Sequence, residues 1–178
     1  MPAPTTNARR GPEWSVAEPR RQLTAVLFVD IVDATPLAVS LGDRAWAELL
    51  ERYYALVRAA LAQHRGTLMD SAGDGFFAIF DDTVDAIRCA VVLRLAAGRL
   101  GLELRSGIHV GHCWSADAKC AGADVHVGAR IASRARAGEI LVSEEAAARA
   151  RRTGIAFADR GTAPLKGLPG RRRLFAVS

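Results

Sequence analysis

The sequence predicts one α/β domain of the α+β kind, a ferredoxin-like β-α-β-β-α-β core with a C-terminal extension. Three observations carry that prediction. Thr24–Val32 is a continuously apolar, β-branched run, Gly73-Asp74-Gly75 separates two short apolar segments, and a stretch of helical period lies on each side of that turn. At 178 residues, half of them hydrophobic, the chain has material for one core and too little for two ordinary domains.

The elements follow in order. Residues 1–22 hold four prolines and no apolar period, so they read as a flexible leader, with the folded unit spanning 23–178. Thr24–Val32 is the first strand, buried on both faces. A helix follows, capped by Asp43 after Gly42, with Trp46, Leu49, Leu50, Tyr53, Val57 and Leu61 at three- and four-residue steps until Gly66. Thr67–Ser71 and Phe76–Phe80 flank the glycine-rich turn and make an antiparallel hairpin. Asp82 caps a second helix running to Arg99, and Leu102–Val110 is the fourth strand. Beyond a loop of small residues at Ser115–Ala123, the pattern predicts a helix over Asp124–Arg136, a strand at Ile140–Ser143 and a short helix at Glu144–Arg152. Phe157–Gly161 and Arg173–Val177 form a closing hairpin.

Composition narrows the function classes. No segment reaches the roughly 18 unbroken apolar residues of a membrane span, and the N-terminus lacks the order of a secretory signal. Cys89, Cys113 and Cys120 have irregular spacing and read as reduced thiols, so a cytoplasmic location is expected. The net charge of +5 comes mostly from the N-terminal arginines and Arg171–Arg173, with no interleaved aromatics, and no nucleic-acid or membrane partner is expected. There is no Gly-x-x-x-x-Gly-Lys run, which excludes a P-loop enzyme.

The topology brings two acids together. Right-handed crossovers make strands one and two parallel with strand three between them, so the start of strand three lies beside the end of strand one. Asp30 sits at that end and Asp74 at the hairpin tip. An acid inside an apolar strand is costly to bury unless it is paired or bound to metal. Two hard carboxylates with room for water and phosphate suit two Mg2+ or Mn2+ ions. Asp33, near the same strand end, reads as a turn or cap residue. His109, His112 and Cys113 fail as a zinc cluster because the two histidines face opposite sides of a strand. Trp46 and the Tyr53-Tyr54 pair read as packing.

Five motifs then resemble one family in order and spacing: Phe28-Val29-Asp30-Ile31, Gly73-Asp74-Gly75-Phe76, Val125-His126-Val127-Gly128-Ala129-Arg130, Gly138-Glu139-Ile140-Leu141-Val142-Ser143 and Leu165-Lys166-Gly167. They are similar to the catalytic domains of class III adenylyl and guanylyl cyclases over about Leu23–Val177. The resemblance implies conversion of a purine nucleoside triphosphate, ATP or GTP, to a 3′,5′-cyclic nucleotide messenger and pyrophosphate. It implies that Asp30, Asp74 and the Ile31 carbonyl hold two metal ions, that Arg130 stabilises charge on the α-phosphate, and that Lys166 binds the terminal phosphates. It also implies a head-to-tail homodimer with its sites at the interface.

Three positions depart from the adenylyl pattern. Where those enzymes carry a base-reading lysine, a base-reading aspartate and a ribose-orienting asparagine, this chain has Asp70, Lys119 and His126. Asp70 and Lys119 complement the N1 donor and O6 acceptor of guanine, and His126 can donate to a ribose oxygen. Guanylyl cyclases share an acid at the Asp70 position but carry cysteine at the Lys119 position, which leaves Cys120 one residue out of register. ATP is the first expectation from the family as a whole. The alternatives are a guanylyl cyclase or a catalytically weak nucleotide-binding relative. A diguanylate-type enzyme is disfavoured because Gly73-Asp74-Gly75-Phe76 lacks the expected hairpin motif.

Overall fold

The apolar run that opens the core becomes the central strand β1 (Arg20–Ile31) in a computed structural model that describes residues 20–116 and 119–178, and the backbone alone at 20, 115, 116 and 119. The strand begins ahead of the expected Thr24, and residues 1–19 of the expected leader lie outside the described residues. Alternate side chains of β1 leave the sheet on opposite faces. Ala25, Leu27, Val29 and Ile31 enter the larger core, whereas Val26 and Phe28 join a smaller cluster on the other face.

The remaining elements are α1 (Ala34–Leu41), α2 (Asp43–Gln63), β2 (Thr67–Ala72), β3 (Gly75–Phe80), α3 (Thr83–Gly98), β4 (Leu104–Ala116), β5 (Lys119–Ala121), α4 (Ala123–Ala132), β6 (Ile140–Ser143), α5 (Glu144–Ala150), β7 (Phe157–Pro164) and β8 (Arg171–Val177). One sheet runs β2-β3-β1-β4-β6-β8-β7, with β5 paired to β4. β3 is antiparallel to both β1 and β2, so β1 and β2 are parallel with β3 between them, as the crossover argument requires. The βαββαβ core and its C-terminal extension are therefore present.

Helices α2, α3 and α5 cover one face through Tyr53, Val57, Ile87, Leu93 and Ala146, and α4 covers the other. Asp82 accepts a 2.7 Å hydrogen bond from the Val84 amide and caps α3 as expected. Among the described residues no helix is long and apolar enough to cross a membrane.

Three local expectations are corrected. Gly42, at φ 79°, takes the cap position of α2, and Asp43 falls in its first turn, where a negative charge faces the positive helix end. The short α1 precedes it and buries no residue, so it leaves no apolar period to read. The expected loop at Ser115–Ala123 instead carries β4 onward into a hairpin, with Trp114 opposite Ala121 and Ala116 opposite Lys119. α4 also ends at Ala132, short of the expected Arg136.

Glycines set how closely α4 lies on the sheet. A Cβ on Gly107 of β4 would stand 2.1 Å from the Ala132 nitrogen, and one on Gly111 would stand 2.3 Å from the Asp124 side chain. From the helix side, a Cβ on Gly128 would stand 2.6 Å from Val26. Only hydrogen fits at these contacts, so α4 is seated directly over β1 and β4.

Candidate active site

Asp30 stands at the C-terminal end of β1 on the α4 face. The antiparallel register places Arg105 of β4 directly opposite it, and directly opposed charges across a ladder attract. The Arg105 guanidinium binds Asp30 Oδ2 through Nη2 and through Nε at 2.9 Å. Neighbouring Ile31 turns its side chain into the opposite core and is 2% exposed, leaving its backbone as the part that can face the site.

Asp74 reaches the same place from the hairpin tip. Gly73 holds φ 62° at the first turn position, the left-handed conformation that glycine adopts at no steric cost. Gly75 is needed for approach: a Cβ there would meet the Val29 carbonyl at 3.2 Å and Asp30 Oδ1 at 3.5 Å. The hairpin tip brings Asp74 near enough to Asp30 for the two carboxyls to influence each other's charge. Burial first, and then Asp30, hold Asp74 above the ordinary carboxylate range, while Arg105 pulls the other way.

Beside the pair lies a cavity of about 290 Å³ lined by Asp30, Asp70 and Arg105 from the sheet and by Ala129 and Ser133 from α4. Phe28 and Phe77 stack in its wall, with centroids 4.6 Å apart. Asp70 is exposed, and its Oδ1 accepts from the Ser71 amide at 2.8 Å.

The other sequence-derived residues lie elsewhere. His126 and Arg130 are exposed on α4, four positions apart and so on one face, and neither lines the cavity. Lys166 is exposed in the turn between β7 and β8. Lys119 pairs with Ala116 through its backbone, and its side chain lies outside the described residues. Asp33 takes the cap position of α1 at φ 52°, without a side-chain cap bond. His109 is buried, with Nδ1 2.9 Å from Ser143 Oγ and Nε2 3.5 Å from Asp124 Oδ1, while His112 is exposed on the opposite face of β4.

Two polar residues at the site escaped the sequence reading. Arg105 becomes visible only through the β1–β4 register. Tyr54, read as packing, donates its hydroxyl to the carbonyls of Gly73 and Gly75, each at 3.0 Å. Its partner Tyr53 fits the packing expectation, being fully buried.

This fold and this pair of acids can be set beside known proteins. The family model described as the adenylate and guanylate cyclase catalytic domain matches residues 16–178. A putative adenylate cyclase 3 from Rhizobium meliloti (strain 1021) is 27% identical over 133 residues, which is 70% of this chain and 23% of that protein. The chain thus spans less than a quarter of that relative's length. Among solved structures, the adenylyl cyclase CyaB from P. aeruginosa superposes with a TM-score of 0.86 at 25% identity, covering 90% of this chain and 96% of that one. The guanylyl cyclase Cya2 superposes with a TM-score of 0.80 at 22% identity, covering 89% and 93%, a likeness of fold alone. With almost the whole sequence matched and the fold in agreement, this chain belongs to the adenylate and guanylate cyclase catalytic domain family.

Proposed function

We propose that the chain converts a purine nucleoside triphosphate to its 3′,5′-cyclic monophosphate and pyrophosphate, with ATP as first choice. The observation that carries this reading is the approach of the hairpin that bears Asp74 to Asp30, where a Cβ on Gly75 would stand 3.5 Å from Asp30 Oδ1, beside a cavity lined by Asp30, Asp70 and Arg105. The donor types suit a divalent ion: Asp30 and Asp74 are hard carboxylates on neighbouring strand ends, with Arg105 bound to Asp30 in this structure. Asp30, Asp74 and the Ile31 carbonyl would hold two Mg2+ or Mn2+ ions. When bound, such ions acidify a hydroxyl and neutralise leaving phosphates.

The chain's own groups supply binding and orientation. The ribose 3′-oxygen forms a bond to the α-phosphorus as the bond to the pyrophosphate oxygen breaks, and the hydroxyl proton leaves to solvent. Arg130, whose guanidinium offers several donors, stabilises the charge that develops on the α-phosphate. Lys166 binds the terminal phosphates, and His126 donates to a ribose oxygen. His126, Arg130 and Lys166 are exposed and lie outside the lining of the cavity beside Asp30, which is compatible with a site completed by a second copy of the chain arranged head to tail.

A second substrate reading rests on Asp70. Asp70 lines the same cavity, and an acceptor there suits the N1 donor of guanine; the O6 contact expected of Lys119 falls on a side chain outside the described residues. GTP is the alternative substrate this reading names. Incubating the purified chain with ATP or GTP and Mn2+ between pH 6 and 9, with chromatography of the products, tests activity and substrate together. Cyclic product that disappears in both Asp30→Ala and Asp74→Ala, each still folded by circular dichroism, supports the proposal. Absence of cyclic product from either nucleotide refutes turnover by this chain and leaves a nucleotide-binding relative.

A further inference from the structure

Asp74 has to remain beside a second carboxylate, yet it sits at the tip of a two-residue turn whose neighbours are both glycines. Glycine restricts backbone motion least of all residues. The β2–β3 ladder stops at Ala72 and Gly75, so it does not itself hold Gly73 or Asp74. Something outside the hairpin must restrain the tip.

Tyr54 supplies that restraint. Its hydroxyl lies 3.0 Å from the Gly73 carbonyl and 3.0 Å from the Gly75 carbonyl, the peptide oxygens on either side of Asp74. One phenolic proton is shared between these acceptors in a three-centre hydrogen bond. The phenol is carried by α2, a helix of 21 residues fixed to the core by buried Tyr53, Val57, Ala60 and Leu61. The Tyr54 ring packs edge-on against Tyr53, with centroids 5.3 Å apart and planes at 61°, which sets the direction of the hydroxyl. A rigid element is thereby tied to a pliable turn at the residue that must not move.

We propose that Tyr54 is a positioning residue for Asp74: its hydroxyl clamps the hairpin tip and keeps the carboxylate pair converged for divalent cations. This inference rests on the metal-binding reading of Asp30 and Asp74. It assigns Tyr54 no contact with substrate or metal, and it separates the two adjacent tyrosines. The Tyr53 hydroxyl is buried with no hydrogen-bond partner among the described residues, so it serves as an internal control.

The test uses the full chain and Mn2+ alone, with free Mn2+ read by electron paramagnetic resonance. Tyr54→Phe removes one oxygen and keeps the ring. It is expected to weaken Mn2+ binding about three- to tenfold, the worth of a lost hydrogen bond, and to speed amide hydrogen exchange over residues 73–76. Tyr53→Phe is expected to leave Mn2+ affinity unchanged, a result that general softening of α2 would not produce. The positioning role is overturned if Tyr54→Phe binds Mn2+ like the wild type while Asp74→Asn has lost it. If wild type and Asp74→Asn take up Mn2+ alike, the metal reading itself fails, and the role of Tyr54 fails with it.

Discussion

Gly107→Ala should be among the most damaging single-methyl changes this chain can receive. The added Cβ would lie 2.1 Å from the Ala132 nitrogen, 2.6 Å from its Cα and 2.8 Å from its Cβ. Carbon contacts settle near ~3.5 Å, so the end of α4 must withdraw by about 1 Å or more. The obstacle is backbone, which has no rotamer to change. Overpacking typically costs about 1–3 kcal/mol, and the upper end, about 3 kcal/mol, applies here. For a domain of this size that corresponds to a fall of about 6–12 °C in the unfolding midpoint. Gly98→Ala is the matched control: its Cβ meets nothing within 4 Å and it closes α3, so alanine should stabilise by about 0.4–1 kcal/mol. Urea unfolding followed by circular dichroism reads both. Under the proposed function, activity adds an independent measure, because a shift of about 1 Å in the helix carrying Arg130 would cost on the order of 100-fold in rate. If Gly107→Ala unfolds at the same urea concentration as the wild type, α4 does not lie against β4 as described, and the placement of His126 and Arg130 on that helix fails too.

Other outcomes follow from the same geometry. Under the proposed function, Arg130→Ala should lower kcat by at least about 100-fold, the loss found when one donor to a developing oxyanion is removed. Steady-state kinetics that change KM alone would assign Arg130 to ground-state binding instead. The His109 imidazole, under α4 and the start of α5, is pushed below its ordinary value by burial and by Arg172, against the opposing pull of Glu145 and Asp124. The unfolded chain therefore takes up the proton first. The stability that His109 contributes is full above about pH 6.5 and is lost as the pH falls through the lower folded-state value. The urea midpoint should drop between pH 7.5 and 5.5 in the wild type, and His109→Gln should flatten that slope. An unchanged slope in the variant would assign the acid sensitivity to other groups.

The sequence was most informative wherever a local pattern had a local cause. The β-branched run of β1, the cap Asp82 and the glycine turn before Phe76 each declare themselves within a few residues, because strand burial, capping and positive φ are short-range demands. Elements without such demands were illegible. α1 buries nothing, so no period marks it, and β5 is a three-residue strand of Lys119, Cys120 and Ala121 held only by pairing with β4. The Gly42 cap of α2 was hidden because the neighbouring Asp43 is an equally plausible cap by type, and only backbone geometry separates them.

At the candidate site the same division holds. An acid within an apolar strand marks Asp30 through its desolvation cost, whereas Asp74 between two glycines suits a turn by itself and stands out only because the topology carries it toward Asp30. The β-α-β-β-α-β order then predicted their meeting. What no local pattern contains is which residue stands across the ladder or above the turn. Arg105 opposite Asp30 depends on the β1–β4 register, and the Tyr54 clamp depends on the angle at which α2 crosses the hairpin. Both are set by packing of the whole core, and a one-residue slip in register would turn Arg105 to the other face of the sheet. The sequence by itself thus determined the fold class and pointed to the two acids; tertiary structure alone decided that Arg105 pairs with Asp30, that the Tyr54 hydroxyl meets the Gly73 and Gly75 carbonyls, and where α4 is seated.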